Sequence, residues 1–294
     1  MTKRQGIQKA MAYGRKQADA AITARRRGTG RLRALAARGN GMLLAEGDSW
    51  FDYPFYDVLS MLERHHRFRI ESVAHKGDNV EGMAYDVAQL TALTRTMDNL
   101  QSDGHVPRAI LLSGGGNDIA GEEFAVLLNH ANSGLPALNT RIAAEVIDGR
   151  LRLAMATVIA TVTRLANEYF GATIPIVLHG YGYPVPDGRG YLGGAWVLPG
   201  PWLEPGFRKK GHTALPTNAR VMVDLIDRYN AMLATLTRQA GLRHVRYVDV
   251  RPLLSNELLG RRYRRSWENE LHPTEAGFAL VADAIARAAL EPLE

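Results

Sequence analysis

The sequence predicts an α/β fold built on a parallel sheet with helices on both faces, and three observations carry that prediction. Short apolar runs at 41–46, 69–74, 108–113, 174–179 and 244–250 have the length of strands. Helical patterns lie between them near 55–65, 80–98, 119–131, 150–170 and 217–240, and a last one spans 274–290. Strands that alternate with helices need crossovers, and right-handed crossovers lay helices over a parallel sheet. The chain has 294 residues and 46% hydrophobic content, enough for one large core, and its 29 glycines suit many tight loops.

The first three strands each run into a turn with its own chemistry. The first, Gly41-Met42-Leu43-Leu44-Ala45, enters the turn Gly47-Asp48-Ser49-Trp50. The second leads into Ala74-His75-Lys76-Gly77-Asp78-Asn79, and the third into Gly114-Gly115-Gly116-Asn117-Asp118. The final helix is announced by Thr274, a good N-cap, with Glu275 at its positive end. Two stretches break the rhythm. Residues 132–149 read as a polar insertion, and residues 180–215 as a long Gly/Pro/aromatic loop holding Tyr181, Trp196, Trp202 and Arg208-Lys209-Lys210. Neither internal repeats nor low-complexity tracts are present.

Charge divides the chain. Residues 1–40 carry eleven Lys and Arg against Asp19 alone, more than the whole net charge of +6, so the rest is mildly acidic. This basic N-terminal extension is expected to be a mobile arm or a helix on the domain's own surface; contact with nucleic acid or an anionic surface is the less favoured reading. The absence of cysteine removes disulfides, thiolate metal sites and cysteine nucleophiles. The first residues lack a continuous apolar core, and no uncharged run approaches a membrane span, so the expectation is a soluble protein, cytoplasmic by default.

Ester hydrolysis by serine needs a hydroxyl, a base, a group that orients the base, and donors for an oxyanion. Ser49 follows the first strand at a turn where backbone amides converge. His272 stands before the last helix as a base. Gly77 offers a backbone N–H and Asn117 a side-chain amide, which with the Ser49 N–H makes three donors. All follow predicted strands and so lie at the carboxyl edge of the sheet. In a flavodoxin-like order 2-1-3-4-5, the first and third strands are neighbours at the switch point where ligands bind.

These blocks, Gly-Asp-Ser at Ser49, Gly77, Gly115-x-Asn117-Asp118 and His272, resemble the SGNH hydrolases, also called GDSL-type esterases and lipases. The resemblance spans residues 41–294 as one catalytic domain and leaves residues 1–40 outside. It implies a three-layer α/β/α sandwich, Ser49 as nucleophile, His272 as base, and an oxyanion hole of Ser49, Gly77 and Asn117. The family's activities include esterase, lipase, thioesterase and carbohydrate deacetylase reactions, so a small-molecule or glycan ester is the expected substrate, with no cofactor. The family usually has aspartate three residues before the histidine; here Asn269 stands there, flanked by Glu268 and Glu270. Asn269 is the expected orienter, because an amide oxygen can hold the imidazole Nδ1–H, with Glu268 or Glu270 as the alternative.

Several features have plainer readings. Asp48 and Asp118 are expected to bond nearby backbone amides. Gly114–Gly116 lack the third glycine of a dinucleotide loop, since position 119 is Ile119. His65, His66 and His179 form no metal motif. Trp50, Trp196, Trp202 and Trp267, with Tyr181, form either an aromatic substrate wall or ordinary loop packing. The competing functions are a metal-dependent phosphoesterase and a non-catalytic ligand-binding protein on the same fold.

Overall fold

Five parallel strands form one sheet in the order β2-β1-β3-β4-β5, where β1 is Met42–Glu46, β2 Arg69–Ser72, β3 Ala109–Leu112, β4 Ile176–His179 and β5 Val245–Val248. The structure is a computed structural model and describes residues 2–25, 40–120, 122–193 and 199–292. The three central strands are buried along their whole length. Their sequences are apolar up to the last residue, where β1 ends in Glu46 and β4 in His179, because a strand covered on both faces has no side for polar residues along its length. The edge strand β2, Arg-Ile-Glu-Ser, is largely exposed and correspondingly polar.

Helices cover both faces, giving the three-layer α/β/α sandwich. On one face α2 (Val58–His66) packs beside α9 (Glu275–Leu290), which lies against β4 and β5. On the other, α6 (Arg152–Phe170) contacts α3 (Val80–Tyr85), α4 (Val87–Ser102) and α8 (Leu215–Thr237). Helix α2 opens with a capping box between Asp57 and Ser60, and α9 opens with the Thr274 hydroxyl accepting the Gly277 N–H at 3.1 Å.

The N-terminal helix α1 (Lys3–Arg25) lies along α6. Ile7, Met11, Ala18 and Ile22 recur at helical spacing and are buried there. Gly14 lets the two backbones approach, and Thr161 and Thr157 donate to the carbonyls of Gly14 and Ala10 at 3.0 and 3.2 Å. Lys3, Arg4, Lys9, Arg15 and Lys16 face outward and are exposed. Residues 26–39 lie outside the described residues. No described helix is long and apolar enough to cross a membrane.

Three segments differ from the sequence expectation. The pattern at 119–131 is not an α-helix: Glu122–Leu127 forms 3₁₀ turns, and the chain then doubles back, with Asn129 N–H donating to Ala137 at 2.9 Å. Within 132–149, α5 (Thr140–Ala144) starts at Asn139, whose side chain caps Ile142 N–H at 3.1 Å, and widens into π turns before joining α6. The long loop at 180–215 likewise holds α7 (Glu204–Lys209), whose Phe207 packs on Phe124 at 4.9 Å between ring centres.

The end of β3 is tied to α8 by a close approach. Gly115 has φ +112°, and a Cβ there would lie 2.0 Å from the Tyr229 hydroxyl, which donates a short bond to the Gly114 carbonyl. Gly115→Ala therefore meets both backbone strain and a clash in the core. It is expected to lower unfolding free energy by about 3 kcal/mol or more, read by urea denaturation; a loss under about 1 kcal/mol would mean the contact relaxes freely.

Candidate active site

The site lies where β1 and β3 end side by side. After β1 the chain turns through Asp48, whose carboxylate is buried and accepts the Trp50 N–H at 3.0 Å, the Ser113 hydroxyl at 2.8 Å and a short bond from Tyr181. These donors hold the turn and with it Ser49. The carboxylate builds the loop, as expected of Asp48.

The second wall is the turn before α9. Trp267 and Pro273 form an antiparallel bridge, and inside the turn Asn269 is fully buried. Its Oδ1 accepts three N–H groups: Leu271 N at 3.0 Å, His272 N at 2.9 Å and His272 Nδ1 at 3.0 Å. Its Nδ2 donates to the Tyr53 hydroxyl at 3.0 Å. The reverse amide orientation would set an NH₂ against two backbone N–H groups, so the partners assign the oxygen. With Nδ1 carrying the proton, Nε2 of His272 accepts from Ser49 Oγ at 2.8 Å. Tyr53 stacks on the imidazole at 4.1 Å and 20°, and Trp202 meets it edge-on at 5.4 Å. Burial pushes the His272 pKa down to about 3.

The third part is the 75–78 loop. His75 N–H donates to Gly47 at 2.9 Å and Lys76 N–H to Asp52 at 2.9 Å, which ties this loop to the Ser49 turn. Gly77 has φ +91°, a conformation that glycine adopts without strain. Among the described residues, neither the Ser49 nor the Gly77 N–H donates to a protein acceptor. Asn117 gives one amide hydrogen to the Asp78 carbonyl at 2.7 Å, which fixes its side chain and leaves a second hydrogen. Asp118 accepts the Val80 N–H at 3.0 Å, and burial raises its pKa to about 6. Beneath the loop, Gln89 bridges Glu46 and Asp78 at 2.9 and 2.5 Å. Burial, followed by the charge of Asp78, raises Glu46 to about 8.

Ser49, His272 and Asn269 are thus in sequence, and Ser49, Gly77, Asn117 and His272 line one open cleft of about 370 Å³. The flanking glutamates point elsewhere. Glu268 takes a short bond from Tyr56. Glu270 is fully buried and accepts four backbone N–H groups, from Gly188 (2.9 Å), Trp202 (2.7 Å), Leu203 (2.7 Å) and Glu204 (3.0 Å). It clamps the long loop beside His272; burial raises its pKa while those amides work against the rise.

The aromatic residues divide between two spaces. Trp202 borders the cleft, while Trp50, Tyr181 and Trp267, at most 4% exposed, line a narrow void that Ser49 also borders. Trp50 is spent on structure: its Nε1–H donates to the Leu271 carbonyl at 3.1 Å and its rings meet Tyr181 and Trp267 edge-on. Trp196 lies outside the described residues. Among the histidines, His66 pairs with Asp283 at 2.7 Å, and His179 is not a surface group but a buried one bonded to the Gly180 carbonyl at 2.6 Å. Among the described residues no three His, Asp or Glu side chains gather as a metal-ligand set. Sequence reasoning missed Tyr53 and the Glu46–Gln89–Asp78 support, for neither has a motif.

A family model described as GDSL-like lipase/acylhydrolase matches residues 34–285. No curated protein sequence matches significantly. Among solved structures, the lipase Lip_vut3 from a goat rumen metagenome is 12% identical, with a TM-score of 0.52, covering 86% of this chain and 99% of its own. An acetylxylan esterase from Geobacillus stearothermophilus, solved as a catalytic mutant, is 16% identical with a TM-score of 0.44, covering 87% and 96%. At so low an identity the first of these speaks for the fold alone.

Two expectations follow from this geometry. A histidine whose pKa is pushed down stays neutral as pH falls, so the His272 ring signal in NMR should not titrate between pH 8 and 5; a midpoint near the ordinary value of about 6.5 would contradict its burial. Glu270→Gln turns part of the acceptor against N–H groups and should cost about 2 kcal/mol of stability, measured by denaturant unfolding, without moving the His272 titration. A moved titration with unchanged stability would make Glu270 a partner of the ring.

Proposed function

Because this chain belongs to the GDSL-like lipase/acylhydrolase family, we propose that it hydrolyses carboxylic esters through an acyl-serine intermediate, with Ser49 as nucleophile and His272 as base. One observation carries the reading: the 2.8 Å contact of Ser49 Oγ with His272 Nε2, in a ring whose other nitrogen is held by Asn269.

In the proposed reaction Ser49 Oγ attacks the carbonyl carbon while its proton passes to Nε2. The negative charge on the former carbonyl oxygen is met by the N–H groups of Ser49 and Gly77 and by the free amide hydrogen of Asn117. The bond to the alcohol then breaks, and the departing oxygen takes the proton from Nε2. Water, activated by the same nitrogen, attacks the acyl-serine and releases the acid. Asn269 orients the ring through its amide dipole, which stabilises imidazolium less than a carboxylate does. Tyr53 stacks on the ring and Trp202 meets it edge-on, which fixes its plane beside the cleft that water enters.

Labelling with a fluorophosphonate, and hydrolysis of an activated short ester, should both vanish in Ser49→Ala while its circular dichroism stays that of the parent. Turnover similar to the parent would remove Ser49 as nucleophile. Asn269→Asp keeps an acceptor for the same three N–H groups and adds charge. It should retain or raise kcat and move the acid limb of kcat/KM to higher pH, since a carboxylate favours imidazolium. Asn269→Ala should lower kcat without abolishing it; an inert Asn269→Ala would deny it the orienting role.

A further inference from the structure

Two spaces meet at Ser49, and they differ more than tenfold in size. One is the open cleft of about 370 Å³ that His272, Tyr53, Gly77 and Trp202 help to line. The other is a narrow void of about 30 Å³, walled by Ile119, Ala120, Met222, Ile226, Trp267 and Leu271. Ser49, Asn117 and Leu271 border both; His272 borders only the first.

Chemistry decides which part of an ester goes where. When the bond between the carbonyl carbon and the alcohol oxygen breaks, that oxygen must take its proton from His272 Nε2. The alcohol therefore occupies the cleft that His272 lines. The acyl chain, on the other side of the carbonyl carbon, is left with the space that His272 does not line. We propose that the narrow void is the acyl pocket and that it limits the enzyme to acyl groups of two or three carbons, acetyl foremost, carried on alcohols large enough to use the cleft. This rests on the serine reaction proposed above. A void of about 30 Å³ takes about two groups the size of water, which beyond the carbonyl carbon is a methyl or an ethyl.

The walls are built to stay in place. Met222 and Ile226 stand one turn apart on the same buried face of α8. That helix is pinned by the bond of Tyr229 to the Gly114 carbonyl and by Asn230, which donates to the Tyr181 carbonyl at 3.1 Å. Ile119 and Ala120 follow Asp118, itself bonded to Val80. A longer chain would have to push packed core aside. Asp48 and Tyr181, which also border the void, are bonded to each other, while the buried Nε1–H of Trp267 has no partner among the described residues; beside a buried carboxylate the pocket suits a short neutral acyl group and not an anionic one.

The test is a chain-length series of p-nitrophenyl esters, acetate through octanoate, with the parent, Ser49→Ala and Met222→Ala. Parent kcat/KM should fall about tenfold or more from propionate to butyrate, as one excess methylene can cost in a filled pocket, with octanoate lower still. Changing the alcohol from phenyl to naphthyl acetate should matter little. Met222→Ala should move the butyrate-to-acetate ratio upward by about tenfold; the parent series decides the matter if that variant does not fold. Butyrate and octanoate cleaved as well as acetate, with all activity lost in Ser49→Ala, would overturn the acyl pocket and leave the serine reaction standing. Met222→Ala lowering every ester alike would overturn the pocket too. Turnover that survives Ser49→Ala, or no turnover of any ester, would overturn both.

Discussion

The candidate site depends on one buried oxygen. Asn269 Oδ1 accepts two backbone N–H groups of its own turn and the Nδ1–H of His272. The first two bonds shape the loop between Trp267 and Pro273; the third sets the tautomer and aim of the ring. Loop geometry and ring orientation are therefore one arrangement, and Ser49 meets Nε2 because of it. An amide can do this without the cost of burying a charge, which suits a position with no exposure at all.

Around that oxygen the protein uses carboxylates as backbone anchors. Asp48 holds the Ser49 turn, Asp118 ties the segment after β3 to the start of α3, and Glu270 gathers four amides of the long loop. Each replaces regular secondary structure where the chain has none, because buried N–H groups need partners. The loop that borders the cleft at Trp202 is thus fastened one residue from Asn269 in the sequence. The turn that holds Asn269 therefore also anchors the loop at Trp202.

The other consequence concerns the helical layer. Helix α8 supplies Tyr229 to the end of β3 and Met222 and Ile226 to the narrow void, so one helix position sets both the end of β3 and the size of the space next to Ser49. Helix α6 carries α1, which buries its apolar stripe there. The basic residues of α1 that remain exposed follow from that stripe: a helix with one apolar face turns its charges out.

Much of the fold was legible in the sequence, because strand runs, crossovers and the Thr274 cap depend on neighbours along the chain. The apolar run from Met42 to Ala45 and the Gly-Asp-Ser turn announce β1 and its end by local chemistry alone, and the amide at Asn269 could be set against His272 because they are three residues apart. Legibility stopped where a side chain's direction depends on distant packing. Ser49 and His272 are 223 residues apart, and Tyr53 reaches Asn269 across 216; no local pattern marks such a stack. Spacing favoured Asn269 over Glu270 as the ring's partner, but it could not show that Glu270 turns to the long loop and gathers its amides, because that aim is set by a segment distant in sequence. The tryptophans show the same limit: residue type suggested a wall, but only packing divided them, with Trp202 at the cleft and the buried Trp50 and Trp267 at the narrow void. Sequence determined the strands, the turns and the reactive groups, through local propensity and spacing. Tertiary packing alone decided which groups face one another and how much room lies beside Ser49, because both are set by elements that meet only when the sheet and its helices are assembled.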